Sequence, residues 1–206
     1  MAIQAIAPYV LPDVDQLPPN KVAWELDSAR CALLIHDMQR YFLEPFAEAQ
    51  WAIVDKIATL RKHAEAAGVP VIFTAQPGHQ ERAERGLLYD FWGWGPGAGT
   101  DIPVELNPED AVVVTKRRYS AFHGTELLEL LAQQRRTQLI VCGVYAHIGC
   151  LATILDAFMH DIQPFAVADA MGDFSAEHHV AALGHIATRC GVVTTTADVL
   201  RGLERG

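Results

Sequence analysis

Gln138-Leu-Ile-Val-Cys142-Gly-Val-Tyr-Ala-His-Ile-Gly149-Cys-Leu-Ala-Thr-Ile-Leu-Asp-Ala157 decides how the chain folds. Its first five residues, apolar from Leu139 to Cys142 and ended by Gly143, bear the mark of a strand buried on both faces. Ile148, Leu151, Leu155 and Phe158 then recur at i, i+3, i+7 and i+10, a helical spacing that predicts a helix over 148–160. A buried strand that turns directly into a helix is the repeating element of parallel α/β folds.

The same alternation runs outward in both directions. Residues 31–36 (CALLIH), 69–74, 111–115 (AVVVT), 164–168 and 192–195 read as further strands. Helices are predicted over 45–67, stopped by Gly68 and Pro70, and over 125–134. Two more follow, from an N-cap at Ser175 to Arg189 and over 196–204. Residues 76–100 form a long Gly- and Trp-rich loop with a turn of helix near 85–91, and Trp92 and Trp94 mark it as a mobile lid. Residues 1–30, with Pro8, Pro12, Pro18 and Pro19, read as an irregular arm laid on a single domain spanning 1–206. The fold class is therefore α/β, with a mostly parallel sheet flanked by helices on both faces.

Composition narrows the function. The formal net charge is −9 with no run of Lys or Arg, which argues against nucleic acid or a membrane surface as partner. Any anionic small-molecule substrate would need positive charge built into its pocket. Cys31, Cys142, Cys150 and Cys190 form no CxxC pair and mostly sit in apolar runs, which predicts reduced, buried thiols in a cytoplasmic protein. There is no basic-then-apolar leader and no run of 18 apolar residues, so neither a signal peptide nor a membrane span is expected. His36, His147, His178 and His179 show no metal-binding spacing, and the glycines of 93–99 form no phosphate-binding motif, so neither metal nor cofactor is expected.

Parallel sheets bind ligands beyond the carboxyl ends of their strands. His36 and Asp37 follow the first strand, Gln76 the second, Lys116 to Arg118 the third, and Gly143 to Gly149 the fourth. Asp37 and Lys116 form a candidate catalytic pair. A nearby ammonium favours the ionised carboxylate and a dry pocket the neutral acid, and the residues leave that competition open. Each residue alone is equally well read as a strand-end salt bridge or a lysine reaching solvent.

Several blocks together resemble the isochorismatase family. They are Leu33 to Phe42 (LLIHDMQRYF), Thr74-Ala-Gln-Pro77, Arg85-Gly-Leu-Leu-Tyr-Asp-Phe-Trp92, Lys116-Arg-Arg-Tyr-Ser-Ala-Phe122, Gly143 to Cys150, and Asp161 to Ala170 followed by Asp173-Phe-Ser175. They run in family order over nearly the whole chain. The resemblance implies a Rossmann-like three-layer fold with a six-stranded parallel sheet. It also implies hydrolysis of an enolpyruvyl vinyl ether, with Asp37 as general acid beside Lys116. By the same matching, Gln76, Arg85, Tyr145 and the backbone at Gly149 would hold the substrate's polar groups, and Phe42 and Trp92 would form apolar walls. Arg85 and Lys116 would pair the substrate's two carboxylates.

In the cysteine-hydrolase branch of the superfamily the nucleophile stands four residues before the position of Thr153, where this chain has Gly149. Gln39 to Leu43, Arg85 to Trp92 and the lack of a carrier extension after Gly206 resemble the phenazine-pathway type, which acts on 2-amino-2-deoxyisochorismate. The alternatives are isochorismate as substrate, a cysteine amidohydrolase using Cys150, and a non-catalytic scaffold. The family resemblance also implies a homodimer.

Overall fold

The computed structural model describes residues 3–205. Its strands are β1 (Cys31–His36), β2 (Val71–Ala75), β3 (Val112–Thr115), β4 (Gln138–Val144), β5 (Gln163–Gly172) and β6 (Val192–Thr194). The helices are α1 (Arg40–Leu43), α2 (Gln50–Ala66), α3 (Arg82–Arg85), α4 (Leu88–Trp92), α5 (Leu127–Gln133), α6 (Leu151–Met159), α7 (Ala176–Arg189) and α8 (Thr196–Glu204). All six strands pair in parallel in the order β3-β2-β1-β4-β5-β6. This is the expected α/β fold with a six-stranded parallel sheet between helices.

The chain builds outward from β1 through β2 to β3, then returns to the other side of β1 for β4, β5 and β6. The reversal falls between β1 and β4, which pair from Cys31 with Gln138 to His36 with Gly143. Loops leave the two strands in opposite directions there, and a crevice opens at their carboxyl ends.

Alternate residues of β1 enter opposite cores. Leu33 and Ile35 pack with Ile53, Ile57 and Leu60 of α2 and Leu203 of α8. Ala32 and Leu34 pack with Leu131 of α5, Ile154 of α6 and Leu183 and Ile186 of α7. Both faces of the central strand are thus sealed from water, which is why its sequence is apolar without alternation. Among the described residues no helix is long and apolar enough to cross a membrane.

Several boundaries differ from the sequence reading. The helix expected over 45–67 begins only at Gln50 as α2, because 44–49 forms a 3-10 turn that follows the short α1. Pro45 has no N–H to donate to the helix, and Ala47 turns to φ 47°, which ends one helical run before the next begins. The fifth strand reaches Gly172 instead of Ala168, because a register shift after Val141 lets Gly143 and Val144 pair with Met171 and Gly172. The stripe Ile148, Leu151, Leu155 and Phe158 is only half-buried or exposed; α6 buries Thr153, Ile154 and Ala157 instead. The turn before α6 is wider than an α-helix, with Cys150 N–H donating to Tyr145 O, and this rotates the inward face. Ser175 caps α7 as expected, its hydroxyl accepting from His178 N–H at 3.2 Å.

Leu34 is fully buried in the second core. Leu34→Ala should lower unfolding free energy by about 2–5 kcal/mol in a urea titration, whereas the same change at exposed Leu87 should move it by less than about 0.5 kcal/mol.

Candidate active site

Four strand ends feed one cavity at the switch point. It encloses about 470 Å³ including its open mouth, and Asp37, Phe42, Gln76, Arg85, Trp92, Lys116, Tyr145 and Gly149 all line it. Every site residue expected from sequence therefore reaches the same space. Asp37 follows β1, Gln76 follows β2 and Lys116 follows β3, so the sheet order places the β2 residue between Asp37 and Lys116.

Asp37 is 3% exposed and Lys116 1%. The ammonium lies 2.8 Å from Asp37 Oδ2. The same oxygen accepts from Gln76 Nε2 at 2.9 Å, and Oδ1 accepts from the Thr74 hydroxyl at 2.6 Å. Burial pushes the Asp37 carboxyl up, but the Lys116 charge, with hydrogen bonds from Lys116 and Thr74, outweighs it and holds the group below its ordinary value. The competition left open by the sequence is won by the carboxylate form. Asp37 also has φ 49°, an uncommon conformation for a residue with a Cβ, and its own N–H is held by Thr74 Oγ1 at 3.1 Å.

Lys116 spends its donors on protein. Besides Asp37 it donates to Arg118 O at 2.9 Å and Tyr119 O at 3.2 Å. Its three N–H groups are thus engaged by Asp37, Arg118 and Tyr119. Arg85 differs. It is 3% exposed, donates to Gln76 Oε1 at 3.0 Å, and its Nε is buried without a hydrogen-bond partner. Of the two cations, Arg85 has the donor capacity to receive an anionic ligand.

The walls are aromatic. Tyr145 packs on Phe174 at 4.4 Å and Phe46 at 5.8 Å between ring centres. Its hydroxyl donates to Phe42 O at 2.7 Å, so it can meet a ligand only as an acceptor or through its ring. Trp92 Nε1 donates to the Tyr119 hydroxyl at 2.9 Å. Of the two expected lid tryptophans, Trp92 lines the cavity, while Trp94 is exposed and lies beside His79.

His36, Gln39 and Thr74 contribute although the sequence reading gave them no role in the site. His36 is buried and neutral, burial pushing it down to about 4, and its ring contacts Val144 O and Tyr119 O at 2.9 and 3.3 Å. A Cβ on Gly149 would collide with this ring, so only glycine fits there beside His36. Gln39 bridges to Gln76 through both N–H and C=O, at 2.7 and 2.9 Å. Thr74 lies two residues before Gln76, and that same-face spacing was its available signal. Cys150 is fully buried outside the cavity lining, packed in the second core, and burial raises its thiol well above the ordinary value.

A parallel α/β sheet with a buried acid–lysine pair at its switch point, and no thiol in the cavity, defines a hydrolase site of the isochorismatase-like type. Comparison with known proteins agrees. The isochorismatase domain matches residues 31–198, and the chain belongs to the isochorismatase family. It is 47% identical to the phenazine biosynthesis protein PhzD of Pseudomonas fluorescens, over 96% of this chain and 98% of that protein. It is also 47% identical to an isochorismatase of Bacillus subtilis, over 99% and 68%, and 44% identical to enterobactin synthase component B of Escherichia coli, over 97% and 73%. Among solved structures, a cysteine hydrolase from Pseudomonas syringae pv. phaseolicola superposes with TM-score 0.81 at 29% identity, covering 91% of this chain and 98% of its own.

Removing one partner of a buried pair leaves an uncompensated charge. Lys116→Met should cost about 3–5 kcal/mol at neutral pH, and adding Asp37→Asn should recover part of it, read by chemical denaturation. Gly149→Ala should cost about 1–3 kcal/mol by overpacking against His36, and a second change of His36 to Ala should relieve it.

Proposed function

We propose that this protein hydrolyses the enolpyruvyl vinyl ether of 2-amino-2-deoxyisochorismate, giving pyruvate and trans-2,3-dihydro-3-hydroxyanthranilate. The observation that carries the reading is the Asp37 carboxyl at the cavity, paired with Lys116 and aligned by Thr74 and Gln76. Such a group supports proton transfer without a covalent intermediate.

A vinyl ether is cleaved when its terminal methylene carbon takes a proton. Asp37 supplies that proton, and the adjoining carbon becomes an oxocarbenium ion beside the new carboxylate, which stabilises it. Water adds to that carbon, and the hemiketal collapses to pyruvate and the ring alcohol. One water is consumed, and the proton released on its addition restores the acid. Lys116 holds the carboxylate in place, and Arg85 receives a substrate carboxylate. Thiol catalysis finds no support in a cavity lined by Gly149, with Cys150 buried elsewhere.

Free Asp37 is held ionised, so the acid form must arise with substrate bound. An anionic substrate beside the pair opposes the effect of Lys116 and raises the Asp37 value. The amino substrate is favoured over isochorismate by the phenazine-type blocks Gln39 to Leu43 and Arg85 to Trp92 and by the full-length match to the phenazine protein. The equal identity to the Bacillus isochorismatase makes isochorismate the competing substrate.

Pyruvate release should be measured with each substrate separately. Wild type should turn over the amino substrate with the higher kcat/KM, and Asp37→Asn should lose roughly 10²–10⁴-fold; release from neither substrate overturns the proposal. Because the protonated form is active and the free-state value is lowered, kcat/KM should fall as pH rises through neutrality. The bound-state value is higher, so kcat should stay level to a higher pH than kcat/KM. A kcat/KM that climbs with pH would contradict Asp37 as the acid.

A further inference from the structure

The Asp37–Lys116 pair and Arg85 belong to one closed chain of contacts, and its closing member is a residue outside the cavity lining. Asp37 receives Lys116, and Lys116 donates to the carbonyl of Arg118 at 2.9 Å. The Arg118 side chain reaches in the other direction, its Nη1 donating to Glu84 O at 2.8 Å and to Arg117 O at 2.8 Å. Glu84 precedes Arg85, which donates to Gln76, which donates back to Asp37. The loop after β3 is thereby tied to the turn that carries Arg85.

That turn needs the tie. α3 spans only Arg82–Arg85, far below the length at which a helix holds itself. Its amino end is closed by its own residues, Glu81 N–H donating to Glu84 Oε2 at 3.1 Å. At its carboxyl end Arg118 satisfies the Glu84 carbonyl, which the short helix leaves without a partner of its own. Gly86 then leaves at φ +58°, and a Cβ there would stand 2.8 Å from Arg118 Nη2, so the guanidinium sits tightly against the turn. Arg117, by contrast, reaches Glu84 only through a half-exposed pair at 3.7 Å.

We propose that Arg118 is a positioning residue that sets the place of the Arg85 guanidinium, and so the substrate's carboxylate, relative to Asp37. It acts through Arg85 and does not touch the ligand. The inference builds on the reading of this cavity as a vinyl-ether hydrolase site with Arg85 as anion receiver.

Two measurements on the full chain test it. In ¹⁵N-arginine-labelled protein, the Arg85 Nε–H resonance, assigned with Arg85→Lys, should be protected from exchange in wild type. It should broaden or exchange faster in Arg118→Ala, while the buried Arg61 resonance stays unchanged. In pyruvate-release assays, Arg118→Ala should raise KM on the order of 10–100-fold, the scale of a misplaced binding group, with kcat near wild type. Arg118→Lys, whose ammonium can still bridge the two carbonyls, should recover most of that loss, and Arg117→Ala should leave KM near wild type. An unchanged Arg85 resonance, or kcat and kcat/KM falling together without rescue by lysine, overturns the proposal. Failure of wild type to turn over either substrate would instead sink the functional reading, and the resonance would still decide whether Arg118 holds Arg85.

Discussion

A buried ion pair is an expensive thing to place at the end of a sheet. Desolvation of two charges costs several kcal/mol per ion unless geometry and further hydrogen bonds offset it. Here Asp37 and Lys116 sit on strands separated by β2, and β2 supplies the offset from between them through Thr74 and Gln76. The loop after β3 completes it with two carbonyls on the ammonium. Had β1 and β3 been neighbours, no intervening strand would have carried those two donors. The strand order is therefore a condition of the chemistry as well as of the fold.

The pair also explains the backbone around it. Asp37 departs from the strand at positive φ, a conformation that persists only where its surroundings over-determine it. Thr74 grips both its N–H and its carboxylate, and Gln39 N–H donates to its carbonyl at 2.8 Å. Gln39 in turn is bound to Gln76 at both ends of its amide. Strain at the acid is met by neighbours whose own polar groups are satisfied, which is how a polar network in a low-dielectric site gains rigidity.

The order of strands and helices was legible because buried parallel strands write themselves as apolar runs and their carboxyl ends carry polar residues. That rule alone located Asp37, Gln76 and Lys116. Arg85, Phe42 and Trp92 lie on helices too short to show periodicity, and their places as binding and wall residues were reached through resemblance. What stayed hidden depends on contacts between distant segments. The late start of α2 after Pro45 and Ala47, the extension of β5 opposite Gly143, and the engaged donors of Lys116 arise from register and loop shape. The apolar stripe of 148–158 misled because the wide turn at Ala146–Cys150 rotates α6 by more than a regular helix start would.

Gly149 shows how one missing Cβ joins fold and reaction class. In sequence it reads as a nucleophile that is not there. In the structure the space is taken by the ring of His36, whose Nδ1 lies 2.9 Å from the carbonyl of Val144 and so joins the end of β1 to the end of β4. A side chain at 149 would have to displace that ring, and with it the support of the residue next to Asp37. The cavity is thus organised around the buried Asp37 carboxylate, and the His36 ring fills the space that a side chain at 149 would need. Placing a cysteine at 149 would take more than adding one side chain, since the ring that fills its space also supports the residue beside Asp37.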